Sequence, residues 1–163
     1  MSTFKHMTKW IFDRVVSFIA IIVLLPIYLI IAIVLLIANG RPVFFRQERI
    51  GQWGEMFVML KFRTMVGEEE NSVSVLDSGR ITKVGKFLRR TKLDELPELW
   101  NILIADMSFV GPRPDVPGYA DQLVGGDRVI LRLKPGLTGV ASLKYRNEDE
   151  ILSQQPNPQE YND

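Results

Sequence analysis

The sequence predicts a mainly helical α+β fold, in which a re-entrant N-terminal membrane helix precedes a small cytoplasmic domain with a short β element. Three observations predict it. Residues 15–38 carry no charged side chain, residues 81–104 show apolar side chains at helical spacing, and short apolar stretches bounded by glycines are typical of strands. The chain divides into residues 1–38, an interface segment with the membrane helix, and residues 39–163, a polar domain.

A helix over residues 15–38 would be about 36 Å long, enough to cross a hydrocarbon core of about 30 Å. A signal peptide fits poorly, because its apolar region is shorter and ends in a small-residue cleavage site. A buried core helix fits poorly too, because a small domain does not surround a helix that is apolar on every face. A straight span and a re-entrant hairpin remain.

Charge and a central proline favour the hairpin. Equal numbers of basic residues flank the stretch, namely Lys5, Lys9 and Arg14 before it and Arg41, Arg46 and Arg49 after it. A spanning helix normally has an excess of such residues on its cytoplasmic side. Pro26, in the middle of the stretch, removes a backbone donor and bends a helix. Central prolines also occur in true spans, so the straight span stays open.

In the polar domain, turn residues and short apolar stretches predict the β element. We expect strands at 43–45 and 55–62, with Gly51 and Gly54 between them, and a further strand at Val140–Leu143. Turns are predicted at 39–42, 111–114 and 134–139 from their glycines and prolines. Residues 67–79 are predicted to be a polar loop, and the acidic tail from Glu148 a loop or frayed helix.

Helical spacing predicts the remaining elements. A helix over 81–91 has Val84, Phe87 and Leu88 on one face, and a second spans about 94–104. A third is predicted over 118–133, with an interruption near Gly125 and Gly126.

Asp94 and Glu95 begin the second of these helices. Acids in a first turn commonly cap the helix and complement its dipole, which is the structural interpretation. In the catalytic interpretation, one acid is a nucleophile and the other holds a metal, since neighbouring helical side chains point about 100° apart. A helix N-terminus would also favour phosphate binding and keep Asp94 ionised.

Basic residues surround this acid pair in the sequence. Arg89 and Arg90 precede it, Lys61 and Arg63 lie in an earlier strand region, and Arg113 stands between two prolines that restrict its backbone. A guanidinium held in this way suits bidentate phosphate contact. The alternative for each cation is a solvated surface position. The sequence contains no P-loop, G-x-G-x-x-G, G-x-S-x-G or H-E-x-x-H motif.

Composition excludes several kinds of chemistry. The 163 residues include no Cys, which excludes disulfides, a Cys-ligated zinc and a thiol nucleophile. The one His, His6, precedes the apolar stretch, which argues against a His-based triad. A net charge of +1 argues against nucleic-acid binding through bulk charge. A catalytic metal is therefore expected to bind oxygen ligands, as Mg²⁺ or Mn²⁺ does.

Six features in order resemble a known family. They are the apolar stretch with a central proline, Arg49-x-Gly51, and the segments 61–65 (KFRTM), 93–101 (LDELPELWN), 106–114 (DMSFVGPRP) and 134–139 (KPGLTG). Together they closely resemble the bacterial sugar transferases, the small monotopic phosphoglycosyl transferases, from the N-terminus to about Asn147. Each motif alone would be a weak signal.

The resemblance implies a reaction and a location. A nucleotide diphosphate sugar, usually a UDP-sugar, gives its phosphosugar to undecaprenyl phosphate and UMP leaves, which initiates assembly of a surface glycan or glycoconjugate. The enzyme would lie in the bacterial inner membrane with its active site on the cytoplasmic face. Its partners would be the nucleotide sugar, the polyprenol phosphate and the lipid bilayer, with no nucleic acid, and a homodimer stays open.

The resemblance also implies roles for individual residues. Asp94 matches the nucleophile that forms a covalent phosphosugar intermediate, and Glu95 matches the acid that binds Mg²⁺. Arg89 and Arg113 match phosphate-contacting residues. Lys61, Arg63 and Arg146 are further substrate-binding candidates. Leu25 stands where members usually carry a Ser before the proline, and members usually continue for some tens of residues past this end, so the chain is expected to be shortened.

Two other functions remain consistent with the residues alone. A membrane-anchored adaptor would use the basic residues to bind anionic lipid, and it would tolerate Asp94→Asn. A membrane-anchored nucleotide-sugar hydrolase would use Asp94 or Glu95 on water, and it would release nucleotide without polyprenol phosphate.

Overall fold

The computed structural model describes residues 2–67 and 80–144 and confirms the α+β class. Its helices are α1 Ser2–Asn39, α2 Lys83–Arg90, α3 Glu98–Leu103 and α4 Val140–Lys144, and its strands are β1 Phe44–Ile50, β2 Met56–Phe62, β3 Ser108–Val110 and β4 Gly136–Thr138. Short 3₁₀ helices occupy Gln52–Gly54, Leu93–Glu95, Ala120–Gln122 and Gly125–Arg132. The loop predicted at 67–79, apart from its first residue, and the tail from Glu148 lie outside the described residues.

The predicted apolar helix is confirmed and extends beyond its uncharged stretch. Residues Met7–Asn39 are long and apolar enough to cross a membrane, with a mean hydropathy of 3.3 in the most apolar window. Only 11% of that window is buried, which differs from the core helix of a soluble domain. The helix continues through Pro26, so the break expected of a hairpin is not seen.

One face of α1 packs along the rest of the molecule. Asp13 and Ser17 are buried in its first half, and Ile31 and Leu35 are buried in its second half. Steps of four and fourteen residues place these side chains on one stripe of a helix. The opposite face presents exposed Val, Ile, Leu and Phe side chains along its whole length. The domain therefore covers one stripe of the helix, and most of the remaining surface is apolar and exposed.

Polar contacts secure α1 to the domain near both of its ends. Lys9 Nζ lies 2.7 Å from Asp13 Oδ1 and donates to Ser108 Oγ, at the start of β3, over 2.6 Å. At the other end, Asn39 Nδ2 donates to the carbonyl of Arg63 over 3.0 Å. The two contact points are about 40 Å apart along the helix axis.

The predicted strand at 55–62 is confirmed as β2, which pairs antiparallel with β1 from Phe44↔Phe62 to Ile50↔Met56. β1 is longer than predicted. Its residues alternate between exposed and partly buried positions, although several of them are polar. Gly51 closes the connection, where its N–H donates to the carbonyl of Glu55 over 2.7 Å. A Cβ at this glycine would lie 2.9 Å from that carbonyl, so the turn needs a residue without a side chain.

The helix predicted over 81–91 is confirmed as α2. It begins after Thr82, whose side-chain oxygen caps the helix by accepting a hydrogen bond from the N–H of Gly85. The helix predicted over 94–104 is shorter than expected. Its first residues form the separate 3₁₀ turn Leu93–Glu95, and α3 begins only after Pro97. Pro97 has no N–H to donate to the carbonyl of Leu93, which interrupts the helical hydrogen bonds here although Leu96 keeps a helical backbone.

Two further predictions are wrong. Val140–Leu143 is not a strand but begins α4, and the strand is instead Gly136–Thr138 in β4, parallel to β3. A Cβ at Gly136 would lie 2.1 Å from the backbone nitrogen of Gly111, so this close pairing depends on glycine. The interruption predicted near Gly125 is confirmed, since Gly125 adopts a left-handed backbone (φ 60°), but the two segments over 118–133 are 3₁₀ rather than α-helical.

Asn101 joins α3 to the hairpin and so sets the position of the segment before α3. Its side chain is buried, accepts from the N–H of Leu60 over 3.1 Å and donates to the carbonyl of Val58 over 2.7 Å. These two bonds fix α3 against β2, because leaving a buried amide unpaired would cost about 1–3 kcal/mol. Lys61, the next residue of β2, is thereby held beside α3.

Candidate active site

The acid pair lies in a sharp turn between α2 and α3. Lys92 adopts a left-handed backbone (φ 56°), which reverses the chain after α2 and starts the 3₁₀ turn Leu93–Glu95. The acids therefore precede α3 rather than begin it. The prediction that a helix N-terminus keeps Asp94 ionised does not apply to this arrangement. Asp94 is buried, and within the described residues its Oδ1 accepts no hydrogen bond.

Several charges determine the electrostatics of Asp94. Burial raises the pKa of its carboxyl above the ordinary value, and the negative charge of Glu95 adds to this rise. Lys61, Arg89 and Lys92 act in the opposite direction. The carboxylate thus lies in a largely dehydrated place among cations, where a poorly solvated oxygen is a better nucleophile than one in water.

Lys61 lies among three carboxyl groups, those of Asp94, Glu95 and Glu98, which together form the acid cluster. Its Nζ is 3.0 Å from Glu95 Oε1 and 3.2 Å from Glu98 Oε1. Burial alone would lower the pKa of Lys61, but the two carboxylates more than offset it and the net shift is upward. Glu98 is 3% exposed, and its burial raises the pKa of its carboxyl to about 7, against the opposing effect of Lys61.

Arg89 approaches the acid cluster from the last turn of α2. Its Nε donates to Thr64 Oγ1 over 3.0 Å, which ties the guanidinium to the chain just after β2. Its charge lowers the pKa of Asp94, so the two side chains interact electrostatically. The side chain is therefore held at the edge of the cluster, where it could meet an anionic ligand of Asp94.

Arg113 lies on an exposed turn that the parallel strands secure. The N–H of Gly111 donates to the carbonyl of Thr138 over 3.0 Å, and the N–H of Gly136 donates to the carbonyl of Pro112 over 2.8 Å. These bonds fix the backbone on the N-terminal side of Arg113. The predicted turn is found as a bend at Gly111 followed by an irregular segment, and its rigidity stays a prediction.

Arg49 contacts the turn of Arg113 and interacts electrostatically with Glu98 of the acid cluster. Its Nη1 donates to the carbonyl of Pro114 over 3.0 Å, and Gln47 holds the same guanidinium. Burial lowers the pKa of Arg49, and the positive charge of Arg113 adds to the effect. Glu98 acts in the opposite direction, so Arg49 lies within electrostatic reach of both groups.

The structure thus brings together Lys61, Arg89, Asp94 and Glu95, and it places Arg113 within electrostatic reach of Arg49 and Asp115. Arg63 is placed elsewhere. Its guanidinium donates to the carbonyls of Asn39 and Gly40, where it caps the C-terminal end of α1. Arg146 lies outside the described residues. Substrate contact by either of these two arginines stays a prediction.

Sequence reasoning missed two members of this site, Glu98 and Arg49. Glu98 lies four residues after Asp94, a spacing that often shares a face, but in sequence it resembles an ordinary helix acid. Its importance comes from burial against Lys61, which only the tertiary fold creates. Arg49 was recognised only as part of a motif, and its contact with the turn of Arg113 depends on the packing of β1.

The acid pair offers donors that suit a hard divalent cation. In residues 2–67 and 80–144, no group of three or more possible metal-ligating side chains is close enough to form a site made of protein alone. Mg²⁺ is commonly bound through one or two carboxylates together with substrate phosphates and water. Glu95 is a partly exposed carboxylate next to Asp94, so it could hold Mg²⁺ together with a substrate phosphate.

Comparison with known proteins finds similarity to bacterial sugar transferases. A family model described as bacterial sugar transferase matches residues 4–160. A Klebsiella pneumoniae protein named UDP-glucose:undecaprenyl-phosphate glucose-1-phosphate transferase is 40% identical over 156 residues, which cover 91% of this chain and 34% of that protein. A Bacillus subtilis protein, a putative undecaprenyl-phosphate N-acetylgalactosaminyl 1-phosphate transferase, is 33% identical over 83% of this chain and 82% of its own length.

Another relative differs in its name and its length. The exopolysaccharide production protein ExoY of Sinorhizobium fredii is 35% identical over 86% of this chain and 70% of its own length. By contrast, an Escherichia coli relative with the same name as the Klebsiella protein is 36% identical over 93% of this chain and 34% of its own length. The chain spans about a third of the length of the Klebsiella and Escherichia coli relatives and most of the Bacillus one.

Proposed function

This chain belongs to the bacterial sugar transferase family, and we propose that it transfers a phosphosugar from a UDP-sugar to undecaprenyl phosphate with release of UMP. The observation that carries the proposal is the buried Asp94, whose Oδ1 has no hydrogen-bond donor within the described residues although Lys61 and Arg89 lie close by. A carboxylate kept free among cations suits attack on a phosphorus atom. The names of the relatives support the two substrate classes.

We propose that the transfer occurs in two displacements at the same phosphorus. In the first, an oxygen of Asp94 bonds to the β-phosphorus of the UDP-sugar, the bond from that phosphorus to the bridging oxygen breaks, and UMP leaves with that oxygen. In the second, a phosphate oxygen of undecaprenyl phosphate bonds to the phosphorus and the bond to Asp94 breaks, which restores the carboxylate. No proton is consumed overall, so a His general base is not required.

The cations of the site support this chemistry. Lys61 and Arg89 would neutralise charge that collects on the transferred phosphoryl group, and Arg113 would contact the diphosphate. Glu95 would hold Mg²⁺, which when bound supplies further neutralisation of phosphate charge. Glu98 is a second carboxylate partner of Lys61, so Lys61 stays paired when Glu95 binds the metal ion.

A labelling experiment tests the proposal. The protein, reconstituted in lipid nanodiscs with Mg²⁺ and a UDP-sugar labelled in its β-phosphate, is expected to acquire one label per active chain, and added undecaprenyl phosphate is expected to remove it. A panel of UDP-sugars scored by UMP release then identifies the sugar. Absence of label on a preparation that turns over would contradict the covalent step. Sustained UMP release without polyprenol phosphate would indicate a hydrolase, and no turnover with any sugar would favour the adaptor.

We further propose that α1 is monotopic, with both ends on the cytoplasmic face of the inner membrane. Its two ends contact the same domain, at Ser108 and at Arg63, about 40 Å apart along the helix. A straight span along the membrane normal would draw polar parts of that domain into a hydrocarbon core of about 30 Å. The exposed apolar face of α1 would instead lie in one leaflet, bent at Pro26 if it enters deeply.

The natural absence of Cys makes this topology simple to test. Single substitutions Thr8→Cys and Lys92→Cys place one thiol near the N-terminal end of α1 and one in the polar domain. In inverted membrane vesicles, which expose the cytoplasmic face, both thiols are expected to react with an impermeant maleimide. In intact spheroplasts neither should react. Reaction of Thr8→Cys in spheroplasts, with Lys92→Cys protected, would restore the straight span.

A further inference from the structure

The turn that carries the acid pair is attached to the membrane helix. Leu93 and Leu96 stand on either side of Asp94 and Glu95, and both pack into the core cluster that contains Ile31 of α1. The position of the acid pair therefore depends on the second half of α1 as well as on the neighbouring elements of its own domain.

Tyr28 makes the most specific of these attachments. Its hydroxyl donates to the backbone carbonyl of Leu96, the residue that ends the 3₁₀ turn. Its ring lies 5.7 Å from the ring of Phe62, centroid to centroid, at an angle of 56°. Phe62 follows Lys61 in β2, so Tyr28 touches the chain next to the acid pair and next to the lysine that pairs with it. Tyr28 is two residues beyond Pro26.

Two backbone hydrogen bonds close the turn. The N–H of Leu96 donates to the carbonyl of Leu93 over 3.3 Å, and the N–H of Glu95 donates to the carbonyl of Lys92 over 3.3 Å. The carbonyl of Leu96 accepts from the N–H of Leu99 over 3.0 Å as well as from the Tyr28 hydroxyl. The tyrosine therefore contacts the point at which the turn meets α3.

We propose that Tyr28 is a positioning residue that couples the seating of α1 in the bilayer to the orientation of Asp94 and Glu95. The inference rests on the function proposed above. A displacement of α1 relative to the domain pulls on the Leu96 carbonyl through the tyrosine hydroxyl and shifts Phe62 through its ring. The acid pair and Lys61 are thus aligned only when the segment after Pro26 is in place.

The substitution Tyr28→Phe tests this coupling, because it removes the hydroxyl and keeps the ring that packs on Phe62. In nanodiscs with a β-labelled UDP-sugar and no polyprenol phosphate, the variant is expected to acquire label about tenfold more slowly than the wild type. The final amount of label per chain should be unchanged, and the KM for the UDP-sugar should stay within about twofold. The rate and the amount of label separate alignment from folding.

Leu29→Ala is the matched control, since Leu29 adjoins Tyr28 on α1 but is exposed on the apolar face. It should label at the wild-type rate. An unchanged rate for Tyr28→Phe, with a wild type that labels normally, would overturn the inference and leave the proposed function intact. A reduced amount of label at an unchanged rate would show a purely structural role, which also overturns it. A wild type that never labels would refute the proposed function itself.

Discussion

Asp94→Asn is expected to abolish formation of the labelled protein and to lower kcat by at least about 10³-fold, because the amide is a far poorer nucleophile than the carboxylate. The two side chains are nearly the same size, so the buried site should keep its packing. Removal of one negative charge beside Lys61 and Arg89 should leave the affinity for the UDP-sugar unchanged or slightly tighter. The KM and the labelling stoichiometry are both measured in nanodiscs.

Asp127→Asn is the matched control for this substitution. Asp127 is exposed in the 3₁₀ segment Gly125–Arg132, away from the acid cluster, and the same chemical change there should leave the rate within about twofold of the wild type. Labelling of Asp94→Asn at more than a few per cent of the wild-type amount would place the nucleophile elsewhere. Glu95 would then be the next residue to replace.

Local sequence signals predicted much of the architecture. The uncharged stretch, the helical spacing before Thr91 and the β2 stretch each reflect one local pattern, and the structure confirms all three. Failures occur where a distant backbone decides the outcome. β4 forms at Gly136 because the backbone of Gly111, from another segment, occupies the position that a Cβ of residue 136 would take. The pattern of apolar residues in 134–143 does not indicate this contact.

The candidate site shows the same division. Asp94, Glu95, Lys61 and Arg89 were predictable from residue type and motif, and the structure brings them together. The second partner of Lys61 was not predictable, since Glu98 differs from a solvated helix acid only by being buried against β2. Arg63, which is identical in type to the phosphate-binding candidates, instead binds carbonyls at the end of α1.

The apolar stretch illustrates a further limit. Its composition indicated a helix surrounded by lipid, yet one stripe of it is packed against polar groups of the domain. Ser17 is completely buried, and its hydroxyl donates to the carbonyl of Leu99 over 2.5 Å. A single serine among apolar residues carries too little signal to reveal such a contact. The polar residues on this stripe explain how a hydrophobic helix can support an active site.

Lys61→Met is expected to destabilise the protein by about 1.5 kcal/mol at pH 8, because the buried carboxyl of Glu98 loses its cation and must take up a proton in the folded state. It should also lower the labelling rate strongly, since the cation beside Asp94 is lost. Methionine preserves most of the aliphatic volume of the lysine. Thermal unfolding in detergent micelles with EDTA, which removes divalent cations, measures the change in stability.

The loss of stability should depend on pH in a defined direction. The pKa of Glu98 is about 7 in the folded protein, above its ordinary value of 4.5, so the folded state holds the proton more tightly than the unfolded state. Removal of Lys61 raises this folded-state pKa further, because the cation had lowered it. Below about pH 6 the Glu98 carboxyl is protonated in the folded wild type and in the folded variant, so the missing cation matters little. The difference in stability between variant and wild type should therefore widen as the pH rises through about 7 to pH 8.

The double variant Lys61→Met/Glu98→Gln separates the charge effect from lost packing. With both charges removed, the stability at pH 8 should return to within about 1 kcal/mol of the wild type, since replacement of a whole buried pair is often nearly neutral. Labelling should stay slow, because Asp94 still lacks its neighbouring cation. A stability difference that does not vary with pH, or a double variant no more stable than Lys61→Met, would contradict the assignment of Glu98 as the buried partner of Lys61.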